Sequence, residues 1–352
     1  MAVVGATGAV GREVLRLLES RRFPVTRLRT VATTRSAGQR IGASVVEAIA
    51  PEVFDGVDVA IFDTPDEAAK EWVPVAAARG AWTIDNSAAF RMADDVPLVI
   101  PEINAHALRR APRRIIANPN CTTATVAVPL APLHRAARLR RLIACSYQSA
   151  SGAGQRGLDQ LWAELKEAAA TGRAPEGPRG EVSPKHPMAL NIIPAVGSLR
   201  GAHTSEEVKL QAELRKMLEA PDLVCGATCV RVPTLRAHGV AAHAEFAEPL
   251  PAERARELLA RAPGVEVVDD PAAGDFPTAI AASDREPCYV GRIRIDAAGC
   301  LAFFAVADNL WKGAALNTVQ IAETLVRDGL LTAARARPGG LGDAAARPAA
   351  PS

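Results

Sequence analysis

The sequence predicts an α/β fold: a doubly wound parallel sheet first, then a second, largely antiparallel sheet. Three observations carry this. Short apolar and β-branched runs alternate with amphipathic helical stretches through residue 138. A glycine-spaced turn joins the first such strand to the first such helix. Several further strand-like runs without intervening long helices fill the second half.

Met1-Ala2-Val3-Val4 reads as a buried strand, and Gly5-Ala6-Thr7-Gly8-Ala9-Val10-Gly11 as a turn into a helix through about Ser20. This G-x-x-G-x-x-G is a variant of the Rossmann fingerprint. Its glycines let the backbone of Gly5, Thr7, Gly8, Ala9 and Val10 approach a pyrophosphate seated on the helix N-terminus. A tight turn without ligand has the same spacing. The opening strand is short, which points to a start a few residues upstream. The second strand, Leu28 to Ala32, ends without the Asp or Glu that takes the ribose 2′-hydroxyl of NAD. Arg35 and Ser36 stand there instead, an exchange that suits a 2′-phosphate and hence NADP. A solvated loop arginine in an arginine-rich chain is the alternative.

Val57 to Phe62 is the next strand, Pro65 to Arg79 a helix, and Trp82 to Asp85 another strand. The loop after it carries Arg91, at the carboxyl edge where such sheets hold ligands. Arg114-Ile115-Ile116-Ala117 then leads into Asn118-Pro119-Asn120-Cys121, and Thr123 to Arg138 leads out as a helix. Cys121 thus stands at a helix start, where free N–H groups and the positive dipole end favour a thiolate. Buried among apolar neighbours, the same residue is inert.

Leu142 to Gln148 is a strand ending in the small-residue loop Ser149 to Gly154, which allows close backbone approach to a cofactor. Residues Thr171 to His186, rich in Gly, Pro and charge, read as a long surface loop. Thr204 and Glu207 form a capping box at the start of a helix, and Glu206 and Lys209 are i, i+3 neighbours. Spacing alone makes that pair an exposed ion pair. Arg231 ends another strand and offers a planar fork to a carboxylate, with His238 and His243 both near enough to move protons. Spacing does not choose between the two histidines. Val265 to Val268, Arg292 to Ile295 and Leu301 to Ala307 complete the second sheet, and a helix follows from Asp308 to about Arg327. From Thr332 onward, Ala, Arg, Pro and Gly without periodicity read as a disordered tail.

The 352 residues suffice for two domains with substantial cores. A formal net charge of +2 argues against nucleic acid or an anionic membrane as partner. No apolar run is long enough to span a bilayer, and the start does not read as a signal peptide. The six cysteines (121, 145, 225, 229, 288 and 300) have neither C-x-x-C pairing nor zinc-type His/Cys spacing. They are expected as reduced thiols, without metal, in the cytoplasm.

Taken together and in order, Gly5 to Gly11, Thr33 to Gly38, Asp85 to Met92, Asn118 to Cys121, Gln148 to Gly154, Glu206 to Lys209, Arg231 to His238 and Asp308 to Ala315 closely resemble the aspartate-β-semialdehyde dehydrogenase family. The resemblance runs from Met1 to about Leu330. It implies an NADP-binding Rossmann domain over 1–120, completed by a helix at about 310–330. It further implies an α+β catalytic and dimerisation domain over 121–309, like that of glyceraldehyde-3-phosphate dehydrogenase, with 332–352 left as a tail. The family makes aspartate semialdehyde from β-aspartyl phosphate with NADPH, releasing inorganic phosphate, on the branch to lysine, threonine and methionine. Homodimers or homotetramers are expected.

Matched position by position, Cys121 is the nucleophile and His238 the acid/base, chosen over His243 by the family's seven-residue gap from arginine to histidine. Arg231 binds the substrate α-carboxylate and Gln148 orients the substrate. Lys209 and Arg91 hold the phosphate, and Glu206 and Asn120 line the substrate side. Thr7 to Val10, Arg35, Ser36, Ser151, Gly152 and Asn309 contact the NADP. Gly239 departs from the serine that many members carry after the histidine. The alternatives are N-acetyl-γ-glutamyl-phosphate reductase, which carries Pro-Gly-Cys where this chain has Pro119-Asn120-Cys121, and a non-catalytic nucleotide-binding paralogue.

Overall fold

The computed structural model describes residues 1–178, 180, 182–183 and 185–331. The expected tail lies outside the described residues. Six parallel strands form the first sheet: β1 (Ala2–Val4), β2 (Arg29–Ala32), β3 (Glu47–Ala48), β4 (Val59–Phe62), β5 (Trp82–Asp85) and β6 (Ile115–Ala117). Their order is β3-β2-β1-β4-β5-β6, with Val4 opposite both Val31 and Phe62. This is the doubly wound arrangement, whose ligand crevice opens where the order reverses beside β1. Both sheet faces are apolar because both are covered. Val3, Ile61 and Ile84 pack with Val14 and Leu17 of α1 (Ala9–Ser20), and with the C-terminal helix. Val4, Phe62 and Ala117 pack on the opposite side with α2 (Asp66–Ala78) and α3 (Cys121–Ala137).

The second sheet is mixed. Its strands are β7 (Leu139–Gln148), β8 (Val224–Arg231), β9 (His238–Phe246), β10 (Val265–Val267), β11 (Cys288–Ile295) and β12 (Leu301–Ala307). In the order β8-β7-β9-β12-β11-β10, the three central pairings are antiparallel and the two outer ones parallel. One face packs on α3 and α5 (Ser205–Met217), so Leu142, Val240, Ala305, Leu210 and Val126 share the core that also covers β1 and β4. The other face leaves Ile143 and Tyr147 exposed. A helix absent from the expectation, α4 (Gly154–Thr171), occupies the stretch after β7, and irregular chain follows it. The C-terminal helix α6 (Leu316–Arg327) is entered through a π-turn at Trp311–Ala315 and returns to the first sheet.

Candidate active site

Topology brings the chemistry to one place. The residues that follow β1, β4, β5 and β6 all leave the carboxyl edge of the first sheet: the glycine turn, Asp63 to Asp66, Asn86 to Arg91 and Asn118 to Cys121. In the second sheet β7 and β8 run parallel and end at the paired residues Gln148 and Arg231. β9 runs back and begins at His238, which lies opposite Ala307 at the end of β12. These edges enclose a cavity of about 940 Å³. Gly8, Ala9, Val10, Asn120, Cys121, Gln148, Ser151, Gly152, Glu206, Lys209, Arg91, Arg231 and Asn309 all line it, so most of the residues singled out in the sequence share one space. Thr7, Arg35 and Ser36 are not among the lining residues; Arg35 and Ser36 stand on a short turn beyond β2.

Cys121 is the first residue of α3, and Asn120 is its N-cap. The Asn120 side-chain oxygen accepts the N–H groups of Thr122 at 2.9 Å and Thr123 at 3.4 Å. Its amide nitrogen donates to Glu206 Oε2 at 2.7 Å. The loop is held from every side. Glu213 accepts the Asn120 N–H at 2.7 Å, Arg91 donates to the Asn118 carbonyl at 2.8 Å, and Asn317 donates to Asn118 Oδ1 at 2.6 Å.

The surroundings of Cys121 act against the thiolate that its helix-start position favours. Enclosure by protein pushes the Cys121 thiol up to about 11, and the Glu206 carboxylate adds to the shift; Arg91 and Arg231 pull the other way without offsetting it. The Thr122 N–H also favours the anion, but it is shared with the Asn120 side chain and does not offset the rise. Enclosure and the Glu206 carboxylate thus favour the protonated thiol in the protein without substrate.

His238 is fully buried and does not line the cavity itself. It lies just behind Gly152, where an added Cβ would fall 3.1 Å from Nε2 and 3.3 Å from Arg231 Nη1. Nδ1 accepts the backbone N–H of Ser149 at 3.1 Å. A backbone N–H only donates, so the proton of the neutral ring sits on Nε2, which has no hydrogen-bond partner among the described residues. Burial and the neighbouring Arg231 lower the imidazole to about 3. His238 is therefore a neutral donor whose Nε2 stands directly behind Gly152 of the cavity wall. Ala237, just before it, adopts a left-handed φ of 68°, and its N–H is received by Asn309 Oδ1 at 2.9 Å. Ser149 and Ser151 donate to the same oxygen, at 3.2 and 3.1 Å. His243 lies elsewhere, bonded to Asp296 at 2.6 Å on the outer side of the sheet.

Lys209 is half-buried and pairs with Glu206 at 2.9 Å; the pair faces the cavity rather than open solvent. Arg91 is buried, with its guanidinium committed to Glu213 and to the carbonyls of Asn118 and Asn86. It is a strut of the site, with only its remaining N–H groups left for an anion. Gly239 packs on the Phe304 ring, whose tip an added Cβ would meet at 2.7 Å, so a larger residue after His238 requires that ring to shift. Sequence reasoning missed Ser149 and Glu213. Glu213 follows Glu206 by two helical turns on the buried side of α5, a spacing that could have drawn notice.

Residues 1–111 match the family described as semialdehyde dehydrogenase, NAD binding domain, and residues 130–312 match its dimerisation domain. The aspartate-semialdehyde dehydrogenase of Streptomyces akiyoshiensis is 42% identical over 340 residues, covering 93% of this chain and 98% of the relative. That of Aquifex aeolicus is 40% identical, covering 94% and 99%. The crystal structure of aspartate semialdehyde dehydrogenase II from Vibrio cholerae superposes with a TM-score of 0.87 at 36% identity, covering 93% of this chain and 98% of that one. With both domains matched and relatives of this identity spanning nearly its whole length, the chain belongs to the aspartate-semialdehyde dehydrogenase family.

Proposed function

We propose that the protein reduces L-aspartyl-4-phosphate to L-aspartate 4-semialdehyde with NADPH, through a thioester on Cys121, on the branch to lysine, threonine and methionine. The observation that carries this is a cysteine at a capped helix start, sharing one cavity with a dinucleotide-type glycine turn and with Arg231. Gly8, Ala9, Val10, Ser151, Gly152 and Asn309 fit a dinucleotide along one wall, and Arg35 and Ser36 favour the 2′-phosphate form. We divide the chain at Cys121, with 1–120 and the 310–330 region holding cofactor and 121–309 holding substrate.

Arg231 clamps the substrate carboxylate and Gln148 aligns the acyl group, so orientation comes from parts that do not react. Lys209 and the free N–H groups of Arg91 face the phosphate. The Cys121 sulfur attacks the acyl carbon, the C–O bond to phosphate breaks, and the thiol proton ends on the departing phosphate. His238 Nε2–H donates to the carbonyl oxygen as charge builds on it. A nicotinamide held along Ser151, Gly152 and Asn309 would supply the hydride that reduces the thioester carbon. The resulting thiohemiacetal oxyanion, held by His238, collapses to aldehyde and the Cys121 thiolate, and a solvent proton restores the thiol.

The outer sheet face bearing Ile143 and Tyr147, within the segment that matches a dimerisation domain, supports a homodimer. The six free cysteines support a reducing cytoplasm. Among the described residues, no helix is long and apolar enough to cross a membrane.

The test is phosphate-dependent oxidation of aspartate semialdehyde with NADP. Cys121→Ala abolishes turnover and keeps dinucleotide binding. Residual activity above about a thousandth of wild type would rule out the covalent route.

A further inference from the structure

Asp63 closes β4 and turns its carboxylate toward the glycine turn. Its Oδ2 accepts the Gly11 N–H at 3.2 Å, and a Cβ on Gly8 would lie 3.3 Å from the same oxygen. Asp63 also lines the cavity beside Gly8, Ala9 and Val10. The N-terminal end of α1 is where this fold seats a dinucleotide diphosphate. A carboxylate and a diphosphate therefore share one helix end.

The charged groups around Asp63 do not relieve the conflict. From β5, Asp85 adds a second negative charge; from α2, Asp66 lines the same cavity, as do the cations Arg91, Arg156 and Lys209 from other elements, none of which contributes to the shift at Asp63. From α1 the group facing it is the Gly11 N–H; Arg12 is turned to the Thr7 carbonyl, and Glu13 to Trp311 and Arg236. No lysine or arginine bonds to Asp63 among the described residues.

We propose that Asp63 sets a proton-linked affinity for the dinucleotide, becoming protonated as the diphosphate settles on α1, so that binding takes up one proton from solvent. The inference rests on reading the first sheet as a dinucleotide site, and not on the Cys121 chemistry. Once neutral, the carboxyl keeps one oxygen for Gly11 and offers its O–H to a phosphate oxygen.

The electrostatics agree. Burial raises Asp63 to about 6, Asp85 contributes to the rise, and the Gly11 N–H restrains it. The sign follows. The carboxyl is ionised above about 6 in the free protein, and the diphosphate raises it further. Affinity is therefore highest below that value and falls through the window between the free and bound pKa values, by up to about tenfold per pH unit.

The probe is ADP-ribose, which lacks the 2′-phosphate that itself titrates near pH 6. Binding to the full chain is measured by calorimetry between about pH 6 and about pH 8, in two buffers of different ionisation enthalpy. For wild type we expect affinity to fall by about tenfold or more over that range, with proton uptake approaching one at the upper end. Asp63→Asn keeps an oxygen for Gly11 and stays neutral. It should bind with little pH dependence, take up no proton, and bind more tightly than wild type at about pH 8. A pH-independent wild type without proton uptake would overturn the proposal, as would a variant that follows the wild-type profile or binds more weakly at high pH. Should the variant fail to fold, the wild-type proton count alone decides. If ADP-ribose and NADPH both fail to bind at every pH, the dinucleotide reading falls, and this inference with it.

Discussion

Gly313, in the turn before α6, lies directly on Cys121: a Cβ built on it would come 2.5 Å from the Cys121 Cβ and 2.9 Å from its Cα. The C-terminal segment thus forms the back wall that fixes the nucleophile. Its position is anchored in turn by Lys312, whose buried ammonium binds Glu102, Asn317 and Gln320. Gly313→Ala forces either α3 or the turn to move. We expect kcat to fall by about a hundredfold, the scale of an ångström-sized misplacement of a reacting group. Stability should fall by about 1–3 kcal/mol. Turnover at the wild-type rate in a folded variant would show that the contact does not position the sulfur.

The protonated state of Cys121 has a second test. Enclosure is the larger cause and cannot be removed cleanly, but Glu206 can be neutralised. In Glu206→Gln the thiol pKa falls, since a nearby negative charge disfavours the thiolate. For each unit of fall, the thiolate fraction at about pH 8 rises about tenfold, while intrinsic reactivity drops by about threefold. Iodoacetamide should therefore alkylate the variant at Cys121 about threefold faster per unit of fall, with the pH midpoint of the rate moved down. A midpoint that stays put or rises would remove Glu206 as the charge that keeps the thiol protonated.

Local chemistry was legible in the sequence wherever it was also local in space. The strand-turn-helix from Ala2 to Ser20 follows from an apolar run and three glycines, one of which, Gly5, adopts a φ of 84° over the Asp63 carbonyl. The Thr204 and Glu207 capping box forms with both arms, at 3.4 and 2.8 Å. Helix α4 was not legible, because its opening Gly154 and Gly157 imitate a loop. Gly157 is needed for packing, since a Cβ there would meet the Ala150 carbonyl at 2.3 Å. The upward push on the Cys121 thiol was not legible for a related reason. The helix start is a local feature, whereas Glu206 reaches it from 85 residues away in the chain and is tied there by Asn120. Asp63 and Ser149 acquire their meaning only when separate strand ends meet.

Glu213 is the buried carboxylate beneath the whole arrangement. With its side chain 1% exposed, it accepts Arg91 Nη1 at 3.0 Å and the Asn120 N–H at 2.7 Å, so one residue of α5 holds both the Arg91 loop and the start of α3. Replacing it with Gln preserves shape and removes the charge that compensates a buried guanidinium. Breaking such a pair from one side costs about 3–5 kcal/mol, mostly because the remaining ion is left uncompensated. We expect Glu213→Gln to lose stability on this scale in chemical denaturation. The companion Arg91→Met, Glu213→Leu double variant should recover much of that loss, because neither charge is then stranded. Its turnover should stay low, since the apolar pair cannot receive the Asn120 N–H or hold the Asn118 carbonyl. Loss of stability that is merely additive in the double variant would mean that the two side chains are not coupled, and that the loop is held by its other bonds.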